Sequence, residues 1–411
     1  MRAIMGRLVT CLLSALLLVP ASARAAEDDL PIGSDPPRFV PTAVVDAYCA
    51  HHDTSPGQGG SATLMSTADR HGDFAVNLAA IGGRLEHAKL TGAIVLQVGT
   101  SIDATFAGTR GNPEVWKHVQ LANVGWKSGD LHFEAGVMPS LIGRESFVST
   151  DNWSYTRALI ADSTPYYVAG ARVGYRITPT LRAHVTVFNG WEIFADKNSG
   201  KSGQVHLGWH PTDKLSIDSS TLVGKEQIPI AGKADSYRVF EDLVAAYKLH
   251  ARVELALEVW GGSERGYEVE NPLEGDDKNA SILKNPVFYG GALWARWRFG
   301  DTVYLAGRAE ALVDEAGILT GNGARRAWEP LNGEPYIGQR LAAGTLTFGW
   351  QPHKSLLVRV EGSHRIADHP YFSGAKTDYT ATPAEKGVTR TFSTDARTSS
   401  TAFVASAAFA F

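Results

Sequence analysis

The chain has 411 residues, 44% of them apolar and 20% charged, with a formal net charge of -4. That charge balance excludes a polybasic nucleic-acid surface, so no nucleic acid is expected as a partner. The apolar content is too high for a disordered chain, and two cysteines are too few for a disulfide-stapled scaffold.

Residues 1–25 open with Arg2 and Arg7, run through an apolar stretch from Leu8 to Val19, and close on Ala23-Arg24-Ala25. This is the pattern of a cleaved secretory signal peptide, whose apolar core is too short to span a bilayer. Cys11 lies inside it, which leaves Cys49 without an intramolecular partner. Residues 26–40 are rich in Pro and Asp with no apolar period and are expected to be a periplasmic lead-in. Residues 41–411 then form one domain.

No later apolar run approaches the ~20 residues a membrane helix needs, so insertion into a membrane must use strands. Forty-two glycines and frequent aromatics favour an all-β chain. In chain order, strands are expected at 42–50, 74–87, 90–100, 116–127, 131–138, 166–176, 181–190 and 203–210, and then at 214–224, 237–248, 251–261, 287–298, 302–313, 339–351, 355–365 and 400–411. Alternation carries these assignments. Over 252–260, Val253, Leu255, Leu257 and Val259 share one face, while Arg252, Glu254, Glu258 and Trp260 share the other. The last segment, TAFVASAAFAF, sets Phe403, Phe409 and Phe411 against Ala402, Val404 and Ser406.

A buried-face sandwich would show the same alternation. The connections distinguish the two folds, because short turns (SGD, TPT, PTD, PHK) alternate with long loops rich in Gly, Asp, Asn and Pro. Short turns at one end of every hairpin and long loops at the other describe a transmembrane antiparallel up-and-down β-barrel of about 16 strands with periplasmic turns and extracellular loops. Tyr166, Tyr167, Tyr175, Trp191, Trp209, Tyr237, Tyr247, Trp260, Tyr289, Trp297 and Trp350 cluster near strand ends and are expected at the membrane interfaces. The expected location is the bacterial outer membrane, with its lipids around the barrel.

The stretches GVMPSLIGRESF and DNWSYTRAL, followed by YYVAGARVGYRITPTLRAHVTVFNGW, resemble the central region of the OmpL-like β-barrel porin family. The residues that carry the resemblance are Gly136, Pro139, Gly143, Glu145, Asn152, Tyr155, Arg157, Gly170, Asn189, Gly190 and Trp191. HPTDKLSI at 210–217 and FVPTAVVDAYCAHH near the first strand are similar to further parts of the pattern, and Cys49 is a departure from it. The resemblance implies a Gram-negative outer-membrane channel, not an enzyme, for passive diffusion of small hydrophilic solutes and ions. It also implies that the barrel-assembly machinery recognises the C-terminal strand ending at Phe411. A homotrimer is expected by analogy.

Residues 139–165 form the third long connection, the position at which general porins fold a loop inward. Arg144, Glu145, Asp151, Arg157 and Asp162 are expected to line a constriction; an ordinary surface loop with a helical turn from Trp153 to Ile160 is the alternative. Alternation assigns Arg172, Arg176, Arg182, His184, Arg252, Glu254, Glu258, Arg296, Arg298, Arg308, Glu310, Arg359 and Glu361 to the pore lining. Both signs are present with a basic excess, which predicts at most weak anion preference. On the lipid side, Leu255→Arg or Leu305→Arg is expected to cost about 2–4 kcal/mol near the midplane, and Glu254→Arg to be tolerated. His51-His52-Asp53 is a poor closed metal site, because adjacent histidines on an extended chain point to opposite faces. No metal or cofactor is expected. An outer-membrane lipid hydrolase would share the barrel and could use His132, His184 or His206, although no nucleophile is fixed beside them. A secreted all-β carbohydrate-binding protein would share the alternation.

Overall fold

The computed structural model describes residues 36–56, 62–106, 113–191, 193–194, 200–226, 236–266, 268–270, 282–320, 338–374, 379–381, 390–392 and 396–411. The proposed signal peptide, and the lead-in up to residue 35, lie outside the described residues. Sixteen antiparallel strands close into one barrel, each paired with its neighbours in sequence. They are β1 (Arg38–His52), β2 (Phe74–His87), β3 (Leu90–Val98), β4 (Val119–Ser128), β5 (Leu131–Pro139), β6 (Tyr167–Thr178), β7 (Leu181–Phe188) and β8 (Ser202–Thr212). The ring continues through β9 (Leu215–Gly224), β10 (Tyr237–His250), β11 (Val253–Arg265), β12 (Val287–Arg298), β13 (Val303–Asp314), β14 (Gln339–His353), β15 (Leu356–Ala367) and β16 (Ser399–Ala410). All sixteen overlap the segments expected from alternation, and the first begins at Arg38, inside the expected lead-in. The closed ring replaces the sandwich reading. A short helix, α1 (Thr100–Phe106), follows β3, and two small hairpins, 268–270 with 282–284 and 379–381 with 390–392, decorate long connections.

The seam joins β1 to β16, from Val44 opposite Ala410 to His52 opposite Ala402. Reciprocal bonds of 3.1 Å, from Ala43 N–H to the Phe411 carbonyl and from Phe411 N–H to the Ala43 carbonyl, lock it. Closure removes the sheet edges, so no row of backbone groups is left to hydrocarbon.

The period of two sorts the wall. Leu257, Val259, Leu293, Val360, Phe403 and Phe409 are exposed on the outside, and Ala256, Glu258, Ala292, Glu361, Val404 and Ala408 between them are buried inside. Of the expected interfacial aromatics, Tyr175, Trp209, Tyr247, Tyr289, Trp297 and Trp350 are exposed on the outer surface. Tyr167, Trp191 and Trp260 are buried, and Tyr166 packs against the same interior clusters. Trp260 shares the phase of Glu258, so alternation turns it inward; nearness to a strand end did not decide its side.

The interior is packed. A single apolar cluster joins inward residues of the wall, including Phe240, Trp260, Phe288, Trp294 and Leu312, to Ile142, Trp153, Leu159 and Ile160 of the connection between β5 and β6. A second cluster packs Ile102 and Phe106 of α1 against Val44, Leu78, Val95 and Leu121. The two faces of the wall thus differ: the outward chains are apolar and exposed, and the inward chains meet folded-in loops.

Candidate functional site in the barrel interior

Residues 140–166 leave the wall at Pro139 and return at Tyr167. Glycine makes the exit possible. Gly136 has φ of +126°, and a Cβ there would lie 2.1 Å from the Ala122 carbonyl oxygen. It sits opposite Gly170 on β6, so a pair without side chains lies three residues inside the root formed by Pro139 and Tyr167.

The loop contains only two single turns of 3-10 helix, Ser149–Asp151 and Ala161–Ser163, in place of the helical turn considered at Trp153–Ile160. A buried segment with so little internal hydrogen bonding must find partners for its backbone elsewhere. Charged side chains of the wall supply them. Asp242 accepts from Gly143 N–H at 2.8 Å and Glu258 from Arg144 N–H at 3.3 Å. Glu310 accepts from Leu159 N–H at 2.6 Å, and Glu361 accepts from Tyr155 and Thr156 N–H at 2.6 and 3.0 Å. Guanidinium groups take the carbonyls. Arg359 donates to Ser149, Asn152 and Ser154 at 2.8, 3.4 and 3.3 Å, and Arg308 to Thr156 and Arg157 at 2.6 and 3.0 Å. Carboxylates and guanidinia set two apart on the same strands, Arg308 with Glu310 and Arg359 with Glu361, together act as a surrogate ladder for an irregular strand.

Five of the expected pore-lining residues, Glu258, Arg308, Glu310, Arg359 and Glu361, therefore face inward and are buried against the loop. Arg172 is also buried, bridging Glu134 at 2.7 Å and the Pro139 carbonyl at 2.7 Å. The remaining set lies toward the short turns. Arg176 and Arg182 are exposed, with Arg176 2.6 Å from Asp130. His184 is half-buried, its ring centre 5.5 Å from that of His206. Arg252 sits exposed in the turn before β11. Glu254 pairs with Arg296 at 2.5 Å and approaches Arg298 at 3.4 Å. Glu254→Arg would put three cations together, which reverses the tolerance expected from alternation alone.

The loop residues divide likewise. Glu145 is buried, 3.2 Å from Arg308, and accepts from the Trp294 indole N–H at 3.0 Å and from Ala158 N–H at 2.6 Å. Arg157 is fully buried, donating to the Phe147 carbonyl at 2.6 Å and Ser101 Oγ at 3.1 Å, with Asp162 3.9 Å away. Asp151 is exposed and accepts from Ser146 Oγ at 3.0 Å. Arg144 is half-buried, its guanidinium 4.0 Å from the Trp153 ring centre. Burial pulls its pKa below the ordinary arginine range.

Asp46 and Asp242 were missed as site residues in the sequence. Asp46, on β1, is fully buried and accepts from Ser149 Oγ at 2.8 Å, Tyr155 Oη at 3.0 Å and Asn77 Nδ2 at 2.8 Å. Burial, and then the Asp46 carboxylate, push the Tyr155 phenol well above its usual range. The legible signal was a lone acid on the inward phase of a mostly apolar strand.

The histidines meet a serine. His206 Nδ1 lies 2.9 Å from Ser220 Oγ, and His206 Nε2 lies 3.5 Å from Asp218. Ser220 Oγ donates to the Leu141 carbonyl at 2.5 Å and is buried, so its proton points away from the imidazole. This arrangement ties the root of the loop to β9.

A closed barrel, a greasy exterior and an inward third long loop define an architecture, and the family model described as "Putative beta-barrel porin-2, OmpL-like" matches residues 40–411. The chain belongs to this porin family. Among solved structures, this porin-family barrel is similar to outer-membrane OmpT of Vibrio cholerae (9% identity, 92% of this chain, 99% of that chain, TM-score 0.54). It is also similar to an anion-selective porin from Comamonas acidovorans (11% identity, 92% and 100% coverage, TM-score 0.54). A third is the outer membrane channel DcaP of Acinetobacter baumannii (10% identity, 92% and 99% coverage, TM-score 0.51). At these identities the likeness is one of fold. No curated protein matches the sequence.

Proposed function

We propose that the chain is an outer-membrane porin that passes small hydrophilic solutes and ions by passive diffusion, narrowed where residues 140–166 cross the barrel. The observation that carries this reading is the loop itself. It is held inside a closed, outwardly apolar ring by wall charges, while solvent reaches the inward residues at the short-turn end, among them Arg182 and Arg298. Arg144 and Asp151 face the constriction in this reading, while Glu145, Arg157 and Asp162 are buried and hold the loop that forms it, and the basic excess of the open end favours anions weakly. Lipids cover the outer wall, the strand ending at Phe411 is the assembly signal, and the assembly is a homotrimer. A trimer form of the similar OmpT from Vibrio cholerae is consistent with the last point.

Planar-bilayer recordings on the purified barrel, with a panel of salts and sugars, test the reading. Ion-conducting steps are expected, larger after deletion of 146–160 in a variant that still migrates anomalously in unboiled gels. Unchanged conductance would remove the constriction role, and absence of conductance in both proteins would remove the channel. Ser220, His206 and Asp218 give a lipid-hydrolase reading its one foothold. A lipid-ester assay that Ser220→Ala abolishes would favour it, but the buried hydroxyl bound to Leu141 weighs against a free nucleophile.

A further inference from the structure

Most interior guanidinium groups have in-plane partners. Arg157, Arg308 and Arg359 donate to loop carbonyls or loop side chains, Arg172 and Arg296 to carboxylates, and Arg365 to the Leu64 carbonyl. Arg144 differs. Among the described residues its guanidinium makes no hydrogen bond, although its own N–H is held by Glu258. The group lies 4.0 Å over the Trp153 ring and 5.1 Å from the Trp294 ring centre. A ring contact engages the charge of a guanidinium without taking an acceptor-bound donor, so its N–H groups stay available to bond outward.

The surroundings carry charge of both signs, with two further guanidinia close by. Arg296 lies 4.6 Å over the same Trp153 ring and shares Glu254 with Arg298, so one carboxylate serves two guanidinia. Of the nearby acids, Glu145 is paired with Arg308, and Glu258 and Asp242 each give one oxygen to the N–H groups of Arg144 and Gly143, the second oxygen of each lying buried without a hydrogen-bond partner among the described residues. Arg296 and Arg298 stand at the short-turn end of β12, which places this cluster on the face of the loop that solvent reaches.

We infer that Arg144, held over the Trp153 ring with Arg296 and Arg298 beside it, is a binding seat for the carboxylate of a small organic anion. The planar fork of a guanidinium matches the two oxygens of a carboxylate, and a partly desolvated setting strengthens such a charge-assisted pair. With two guanidinia over its indole, Trp153 orients the seat and is not itself a stacking platform for solute. The inference rests on the reading of the barrel as a solute channel, because it supposes that anions enter from the open end.

The test uses the full barrel in detergent with benzoate as probe, followed by saturation-transfer NMR, with inorganic phosphate and glucose as comparisons. Wild type is expected to bind benzoate saturably and glucose not at all; phosphate competition of equal strength would show a general oxyanion seat and overturn the carboxylate assignment. Arg144→Gln is expected to weaken benzoate at least tenfold, while Arg84→Gln, an exposed guanidinium on β2 across the barrel, leaves it unchanged. If Arg144→Gln fails to fold, judged by migration in unboiled gels, Arg144→Lys decides. It keeps the charge but loses the planar fork, so at least a threefold loss is expected, and wild-type affinity would overturn the seat. Parallel bilayer recordings separate the two readings: binding without conductance would sink the channel and keep the seat, and conductance without saturable binding would do the reverse.

Discussion

Glu361 holds the loop more tightly than any other wall carboxylate, which makes it the sharpest point at which to perturb it. It accepts from Tyr155 N–H at 2.6 Å, Thr156 N–H at 3.0 Å and Thr347 Oγ1 at 2.6 Å, and also from the Thr156 hydroxyl. In Glu361→Ala the two threonine hydroxyls can rotate toward other acceptors, but the two backbone N–H groups cannot. Leaving a buried donor unsatisfied costs roughly 1–3 kcal/mol, so the docked loop should lose about 2–6 kcal/mol. Glu361→Gln keeps one acceptor oxygen but turns an amide NH2 toward donors, and about half the loss is expected. Hydrogen exchange of the full barrel in detergent, read on peptides covering 149–160, should accelerate about 30-fold or more in Glu361→Ala, since each 1.4 kcal/mol is a factor of ten. Acceleration below threefold in a variant whose barrel remains folded would refute the claim that wall charge substitutes for internal hydrogen bonding.

Three further outcomes are expected. Leu257→Arg, on the exposed outer face of β11, should destabilise the barrel by about 2–4 kcal/mol if it lies near the bilayer midplane, measured by refolding titrations into lipid vesicles. Gly136→Ala should reduce the yield of folded, heat-modifiable barrel, because its Cβ would meet the Ala122 carbonyl at 2.1 Å in a left-handed conformation. The raised pKa of Tyr155 means that its ionisation is easier in the undocked loop. Its contribution to docking is therefore complete below the ordinary tyrosine range near 10 and declines above it. Protease sensitivity of the loop should rise as the pH is taken above about 10, and the rise should be smaller in Tyr155→Phe; an identical slope would remove Tyr155 from the account.

The wall was legible in the sequence because a strand's two faces meet different solvents, and residues such as Leu257 and Glu258 record which is which. The positions of Phe403 and Phe409 outside, and of Ala402 and Val404 inside, followed from the same phase. What meets the inward face was not legible. Arg308, Glu310, Arg359 and Glu361 read as charges in water, and nothing local to β13 or β15 shows that a segment 150 to 210 residues earlier binds them. The aromatics misled for a related reason, since Trp260 and Tyr167 sit near strand ends but pack inside on loops whose path alternation does not encode. Asp46 could have been flagged as a lone acid in apolar surroundings, and Asp242 as the inward-phase member of the Glu241-Asp242 pair. Their partners, Ser149 and Gly143, could not.

The spacing of the loop's anchors also constrains the order of assembly. Tyr155 waits for Glu361, 206 positions later, and Ser149 for Arg359, 210 positions later. An early-synthesised segment is thus kept from its resting place until the last quarter of the polypeptide has been laid down, so the cylinder must be nearly whole before its interior can fill. Contacts of such long range are slow to form, and an intermediate in which the ring is shut but its filling still hangs free is the natural species to seek when following this barrel into a membrane.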